Sequence, residues 1–241
     1  MTLTPRLKQR LWAWYGSDHV PAEWDGQVYG GGKISQRFWE YFIAIDMLAL
    51  QPGAVVLDIG GGSNAMGLTM FPRLLADAGL RVIVLDANFG DSTPQQVEAT
   101  YRAAGLDVIV EPGLADRESL SQVLRRHNPT HLSSVSVLEH ASPEQQRGIF
   151  EAIEAEFRGE RAVFTVEFHE TTCFFEQQMT TATLSGPVSA LTRYYLDRIE
   201  RSPLHCVNAV SAENDRLWYP LALCFERCTS LATPAFGFLG V

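Results

Sequence analysis

A chain of 241 residues with 46% hydrophobic and 20% charged residues is long enough for one large domain with a sizeable core, and nothing in that balance points to disorder. A formal net charge of −9 argues against a broad phosphate-binding surface, because nucleic-acid binders gather Lys and Arg into a basic footprint. Small or cationic ligands fit better, neither nucleic acid nor membrane is expected as a partner, and the oligomeric state is left open.

The opening stretch "MTLTPRLKQRLWAWYG" has no continuous apolar run, and the nearby "YFIAIDMLAL" is short and broken by Asp46, so a cytoplasmic protein is expected. Residues 1–50 are rich in Trp, Tyr and Phe and are interrupted by "YGGGK". They are expected to form an N-terminal helical cap or lid, with residues 51–241 as the main domain. Tyr29, Lys33 and Arg37 flank the three glycines and could close over a ligand, the glycines supplying conformational freedom. The plainer alternative is a surface loop leading into the helix "RFWEYFIAIDML", whose aromatics pack on a sheet.

From residue 54 onward, short β-branched runs alternate with helical stretches. "AVVLDI", "RVIVLDA", "DVIVEP", "HLSSVSVL" and "RAVFTVEF" read as strands, and the alternation implies a parallel sheet. Between them "AMGLTMFPRLLADAG", "TPQQVEATYRAAG", "RESLSQVLRRH" and "SPEQQRGIFEAIEAEF" carry apolar residues at helical spacing, with Gly79, Gly105 and Gly159 as stops. Ser142 and Pro143 mark a helix start, with Gln145 placed to complete a capping box. Further on, "GPVSALTRYYLDRIERS" reads as a helix, and "LHCVNAV" and "LWYPLALCFER" as a terminal hairpin joined by "SAEND". Cys173, Cys206, Cys224 and Cys228 form no CxxC pair and read as reduced structural thiols; an apolar strand separates the last two.

The segment "VVLDIGGGSNAMG", residues 55–67, carries the chemistry. Gly61-x-Ser63-x-Ala65 looks like a nucleophile elbow, but in the hydrolase fold several strands precede that elbow, and here it follows the first. Gly60, Gly62 and Ala65 also match a dinucleotide fingerprint, with Asp86 at a strand end about 20 residues on. Any nucleoside bound at such a turn needs the same close backbone approach, and any ribose rewards an acid at the end of strand two.

Asp58, two residues before Gly60, lies outside that fingerprint. With it, "VVLDIGGGS" resembles motif I of the class I S-adenosylmethionine-dependent methyltransferases, usually a strand followed by D-x-G-x-G. "RVIVLDAN" resembles their second motif, "GLADRESL" their loop after strand three, and "SVSVLEHASPEQQRGIFEAI" their strand four and following helix. The resemblance spans roughly residues 40 to 170 and departs from the pattern at "FRGERAVF", which lacks the usual paired glycines before strand five.

The resemblance implies a doubly wound, mostly parallel seven-stranded Rossmann-like α/β sheet ending in an antiparallel hairpin, with S-adenosyl-L-methionine as cofactor. Charge, size and the lack of a separate recognition domain point to a small-molecule acceptor, with oxygen the first choice of methylated atom and carbon and nitrogen left open. The implied cofactor set is Tyr29, Lys33, Asp58, Gly60, Gly61, Gly62, Asn64, Asp86, Ala87, Asp116 and Ser136. Asp58 would reach the methionine amino group, Asp86 the ribose hydroxyls and Asp116 the adenine amine. Plainer readings are a strand-end acid capping the glycine turn for Asp58 and an ordinary N-cap for Asp116.

Methyl transfer to a protonated acceptor needs a base over the strand ends. His140 is the first choice and His169 the second, with Glu139 and Glu167 beside them. A divalent metal on Glu139, His140 and His169 would resemble the site of small-RNA 2'-O-methyltransferases, but those have a further Glu where this chain has Ser136, which with the acidic net charge argues against RNA. The expectation is no metal, with that trio kept as the alternative for a small-molecule enzyme. The rival readings are an NAD(P)-dependent oxidoreductase and a non-catalytic S-adenosylmethionine-binding partner protein.

Overall fold

A computed structural model describes residues 2–15, 36–63, 67–169, 186–201, 206–207 and 217–228. Its helices are α1 (Thr4–Tyr15), α2 (Gln36–Leu48), α3 (Met70–Asp77), α4 (Pro94–Ala103), α5 (Arg117–His127) and α6 (Pro143–Glu156). Its long strands are β1 (Val55–Ile59), β2 (Arg81–Asp86), β3 (Val108–Pro112), β4 (His131–Val135), β5 (Arg161–His169), β6 (Tyr194–Arg201) and β7 (Leu217–Arg227). They form one sheet in the order β3-β2-β1-β4-β5-β7-β6. Neighbours from β3 to β5 pair in parallel, whereas β7 runs antiparallel to both β5 and β6.

Because helices cover both faces, the central strands are apolar on both sides. Val56, Val82 and Val84 point into one core with Leu7 and Leu11 of α1 and Ile45 and Leu48 of α2. Leu57, Ile83 and Leu85 point into the other, with Leu120 of α5 and Ile149 and Phe150 of α6. The described parts of residues 1–50 are thus built into one face of the sheet.

Several helices start and stop where their capping residues dictate. Thr93 with Gln96 opens α4, and Ser142 with Gln145 opens α6, each by a reciprocal capping box with Pro at the first helical position. Gly79 and Gly105 follow α3 and α4 at φ of 87° and 76°, which suits residues without a Cβ. Gly159 is different, since α6 ends at a Phe157 cap and Gly159 instead lies against the Thr130 carbonyl and the Phe157 ring.

Three sequence expectations need correction. The strand expected through Leu138 stops at Val135, because Ser136 turns to φ 50° and Leu138–His140 form a 3-10 turn. The helix expected from Ala65 starts at Met70; before it Gly62–Ser63 and Gly67–Leu68 pair as a small antiparallel bridge, so the glycine turn does not open directly onto a helix.

The third concerns "GPVSALTRYYLDRIERS", expected as a helix, in which Tyr194–Arg201 is the edge strand β6. Val188, Leu191, Tyr195 and Ile199 fit a helical stripe as well as a strand, and pairing to β7 decides the matter. The chief partner of β7 on that side is therefore β6, while of "LHCVNAV" only Cys206–Val207 pairs with Leu217–Trp218 among the described residues.

Candidate functional site

In the order β3-β2-β1-β4 the chain leaves β1 toward β2 on one side and later returns to β4 on the other. The carboxyl end of β1 therefore sits at the switch point, where open α/β sheets form their ligand crevices. The glycine segment lies there.

Gly60 turns at φ 78°, its N–H donating to the Leu85 carbonyl at 2.8 Å. A Cβ on it would fall on the Val137 side chain from the loop after β4. A Cβ on Gly61 would lie 2.5 Å from Asp58 Oδ2, and one on Gly62 would lie 2.7 Å from Asp86 Cγ and overlap the Asn88 carbonyl. The glycines let the turn lie directly between two carboxylates.

Asp86 holds that turn. Its Oδ2 accepts the Gly62 N–H at 2.9 Å and its Oδ1 the Asn88 N–H at 2.8 Å. Two of the four lone-pair sites of the carboxylate are thus used by the backbone, and two are left for a diol.

Asp58 is only 2% exposed and accepts the Ser133 hydroxyl at 2.5 Å from its register partner on β4. Burial pushes its carboxyl up to about 7; the Ser133 hydrogen bond opposes that shift and the nearby Asp86 charge adds to it. Tyr41 of α2 belongs to the same neighbourhood: burial raises its phenol, the Arg37 charge opposes this, Asp58 and Glu40 add to it, and a hydrogen bond with Thr69 lowers it. Its ring stacks on Phe71 at 5.2 Å.

Beyond β4, Glu139 is buried at 6% exposure and His140 is exposed. Partial desolvation of the ring and then the Arg37 charge hold His140 below the ordinary imidazole range. The 3-10 turn carrying both is tied to α6 by buried Gln146, whose Nε2 donates to the carbonyls of Leu138 at 2.8 Å and Ala141 at 3.1 Å.

The structure thus brings together Asp58, Gly60, Gly61, Gly62 and Asp86, with Ser136, Glu139 and His140 in the turn after β4. Ala87 directly follows Asp86 on the chain. Asp116 is the N-cap of α5, accepting the Ser119 N–H at 2.9 Å through Oδ1. Tyr29, Lys33 and Asn64 lie outside the described residues. Glu167 and His169 are in β5 by backbone, and their side chains are likewise outside. Among the described residues no group of three or more His, Cys, Asp or Glu is placed to hold a metal ion.

The chain also resembles known structures. It aligns with the geranyl diphosphate C-methyltransferase of Streptomyces coelicolor A3(2) over 92% of its length and 98% of that chain, at a TM-score of 0.56 and 12% identity. This is the fold of the class I S-adenosylmethionine-dependent methyltransferases.

Magnesium protoporphyrin IX methyltransferase from Synechocystis PCC 6803, crystallised with SAH, shares this methyltransferase fold at a TM-score of 0.51 and 15% identity, over 92% of this chain and all 100% of that one. So does the branched-chain polyamine synthase of Thermus thermophilus, crystallised with N4-aminopropylspermidine and 5'-methylthioadenosine, at 0.55 and 16% over 92% of this chain and 63% of that one. No protein-family model matches the sequence, and a comparison with curated proteins finds no match. No helix among the described residues is long and apolar enough to cross a membrane.

Four residues of this neighbourhood escape sequence reading. Ser133 and Asn88 act through a hydroxyl and a backbone amide and leave no motif. Glu40 and Tyr41 did leave a signal: Glu40 occupies the same helical stripe as buried Ala44 and Met47, where an acid has no place unless it is paired.

Proposed function

We propose that this chain binds S-adenosylmethionine and transfers its methyl group to a small molecule, at oxygen, with His140 as the base. The observation that carries the reading is the glycine turn at residues 60–62, seated between Asp58 and Asp86 at the switch point of a β3-β2-β1-β4-β5-β7-β6 sheet. An antiparallel β7 inserted between β5 and β6 distinguishes this sheet from the 3-2-1-4-5-6 order of the dinucleotide-binding fold, which disfavours the oxidoreductase reading.

The donor and acceptor set suits the cofactor. Asp86 retains acceptor sites for ribose hydroxyls, and Asp58 offers a carboxylate to an ammonium, which would restore the charge that burial suppresses. The cofactor, when bound, supplies a methyl group on a positive sulfur. The chain has to hold the acceptor in line, exclude water and take a proton; His140 Nε2 or Nδ1, neutral at physiological pH, is suited to that last task. Tyr29 and Lys33 would reach the bound cofactor, and Asp116 and Ala87 would border the adenine.

Two of the structural neighbours named above act, by name, on geranyl diphosphate and on magnesium protoporphyrin IX, which supports a small-molecule acceptor. Thermal shift and calorimetry with S-adenosylmethionine, decarboxylated S-adenosylmethionine and NAD(P)H test the reading. Stabilisation by S-adenosylmethionine, followed by methyl transfer that His140→Ala abolishes, supports it. Stabilisation by NAD(P)H alone would sink it, and selective binding of the decarboxylated form would move the chain toward aminopropyl transfer.

A further inference from the structure

We propose that Glu40 of helix α2 is a positioning residue for the cofactor site, holding the turn after β4 in the conformation on which the glycine turn rests. The inference depends on the S-adenosylmethionine reading given above and adds to it a residue outside the family motifs.

Glu40 is fully buried, at 0% exposure. Its Oε1 accepts the hydroxyls of Ser136 and, at 3.3 Å, of Thr165 in the middle of β5. Its Oε2 faces Arg37 Nη1 at 3.0 Å, and the same guanidinium reaches the Val135 carbonyl at 3.4 Å. One carboxylate therefore binds partners on α2, on the end of β4 and on β5. Burying such a pair rarely adds stability compared with apolar packing, so its presence calls for a conformational reason.

Ser136 provides that reason. It sits at φ 50°, in the left-handed region that a residue with a Cβ adopts at a cost of about 1–3 kcal/mol unless its surroundings enforce it. Three groups do so here: Glu40 takes its hydroxyl, while the Thr165 carbonyl and hydroxyl take its N–H at 3.0 and 3.2 Å.

The next residue, Val137, occupies the space a Cβ on Gly60 would need. A shift of the Ser136 turn is therefore passed directly to Gly60, and with it to the turn that carries Gly62 onto Asp86. Glu40 itself has no exposed surface; it acts through Ser136 and Val137.

The experiment is S-adenosylmethionine titration by calorimetry of the full chain and its variants, well below their melting transitions, so that global stability does not move the readout. Glu40→Gln should weaken binding about tenfold, the equivalent of one hydrogen bond to a charged group. Ser136→Ala, which keeps the Cβ and loses the hydroxyl, should do the same. Ser136→Gly, which loses the same hydroxyl, should bind several-fold more tightly than Ser136→Ala, and adding it to Glu40→Gln should recover part of the lost affinity, because glycine adopts the turn without the clamp.

If Glu40→Gln does not fold, the pair Ser136→Ala against Ser136→Gly carries the test unaided. Equal affinities for that pair, or binding by Glu40→Gln within twofold of wild type, overturn the proposal while leaving the cofactor reading intact. A wild-type chain that binds no S-adenosylmethionine removes both at once.

Discussion

Gly62 and Asp86, 24 residues apart in the chain, meet through one hydrogen bond: the Gly62 N–H donates to Asp86 Oδ2 at 2.9 Å. The acid at the end of β2 thus braces the glycine turn before any ligand arrives. Asp86→Asn presents an NH2 group to one of two backbone donors, and Gly62→Ala drives a Cβ against Asn88 and Asp86. Each should raise the S-adenosylmethionine Kd about 10- to 100-fold in calorimetry, while far-UV circular dichroism stays unchanged.

Much of this was legible beforehand because Asp58, the glycines and Asp86 are adjacent to strands whose apolar runs are unmistakable, and because caps such as Ser142-Pro143-x-Gln145 act locally. What escaped was decided at long range. Tyr194–Arg201 has apolar residues that fit either period, and only β7 makes it a strand. Ser136 ends β4 because Glu40, 96 residues earlier, and Thr165 hold it in a turn. The helix expected from Ala65 begins at Met70, after a bridge between Gly62–Ser63 and Gly67–Leu68 that composition does not announce.

Asp58 gives the site a pH signature. Its carboxyl moves from 3.8 to about 7 on folding, so the native state holds its proton more tightly than the unfolded chain does. Stability is therefore lost as pH rises from about 4 through 7, by an amount on the order of a few kcal/mol. Asp58→Asn lacks this loss: its Tm should match wild type near pH 4 and exceed it increasingly up to pH 8. The same variant should bind S-adenosylmethionine more weakly, and the gain in wild-type affinity between pH 5.5 and 7 should disappear.

His140 is held below the ordinary imidazole range by partial desolvation and by Arg37. As a base it works when neutral, so with S-adenosylmethionine saturating, which takes the Asp58 limb out of the profile, activity should fall as pH drops through its lowered pKa, placing the acid limb of kcat/KM for the acceptor below pH 6.5. His140→Gln should reduce kcat by about 10²- to 10⁴-fold with little change in cofactor affinity. Arg37→Met should shift the acid limb upward, since a repelling charge is gone. A limb that does not move would separate Arg37 from the base.

Gln146 tests how the base is aimed. Its side chain is buried at 4% exposure and donates to the carbonyls of Leu138 and Ala141, the residues on either side of Glu139 and His140. Gln146→Met preserves volume but leaves two buried carbonyls without these donors, a loss of about 1–3 kcal/mol in urea unfolding. The 3-10 turn is then free to drift relative to the strand ends, while Asp58, Asp86 and the glycine turn keep all their partners. The expected result is a kcat lowered by about tenfold or more with an S-adenosylmethionine Kd close to wild type. Equal losses in kcat and in cofactor affinity would mean that the turn serves the cofactor and not the acceptor, and His140 would lose its place as the base.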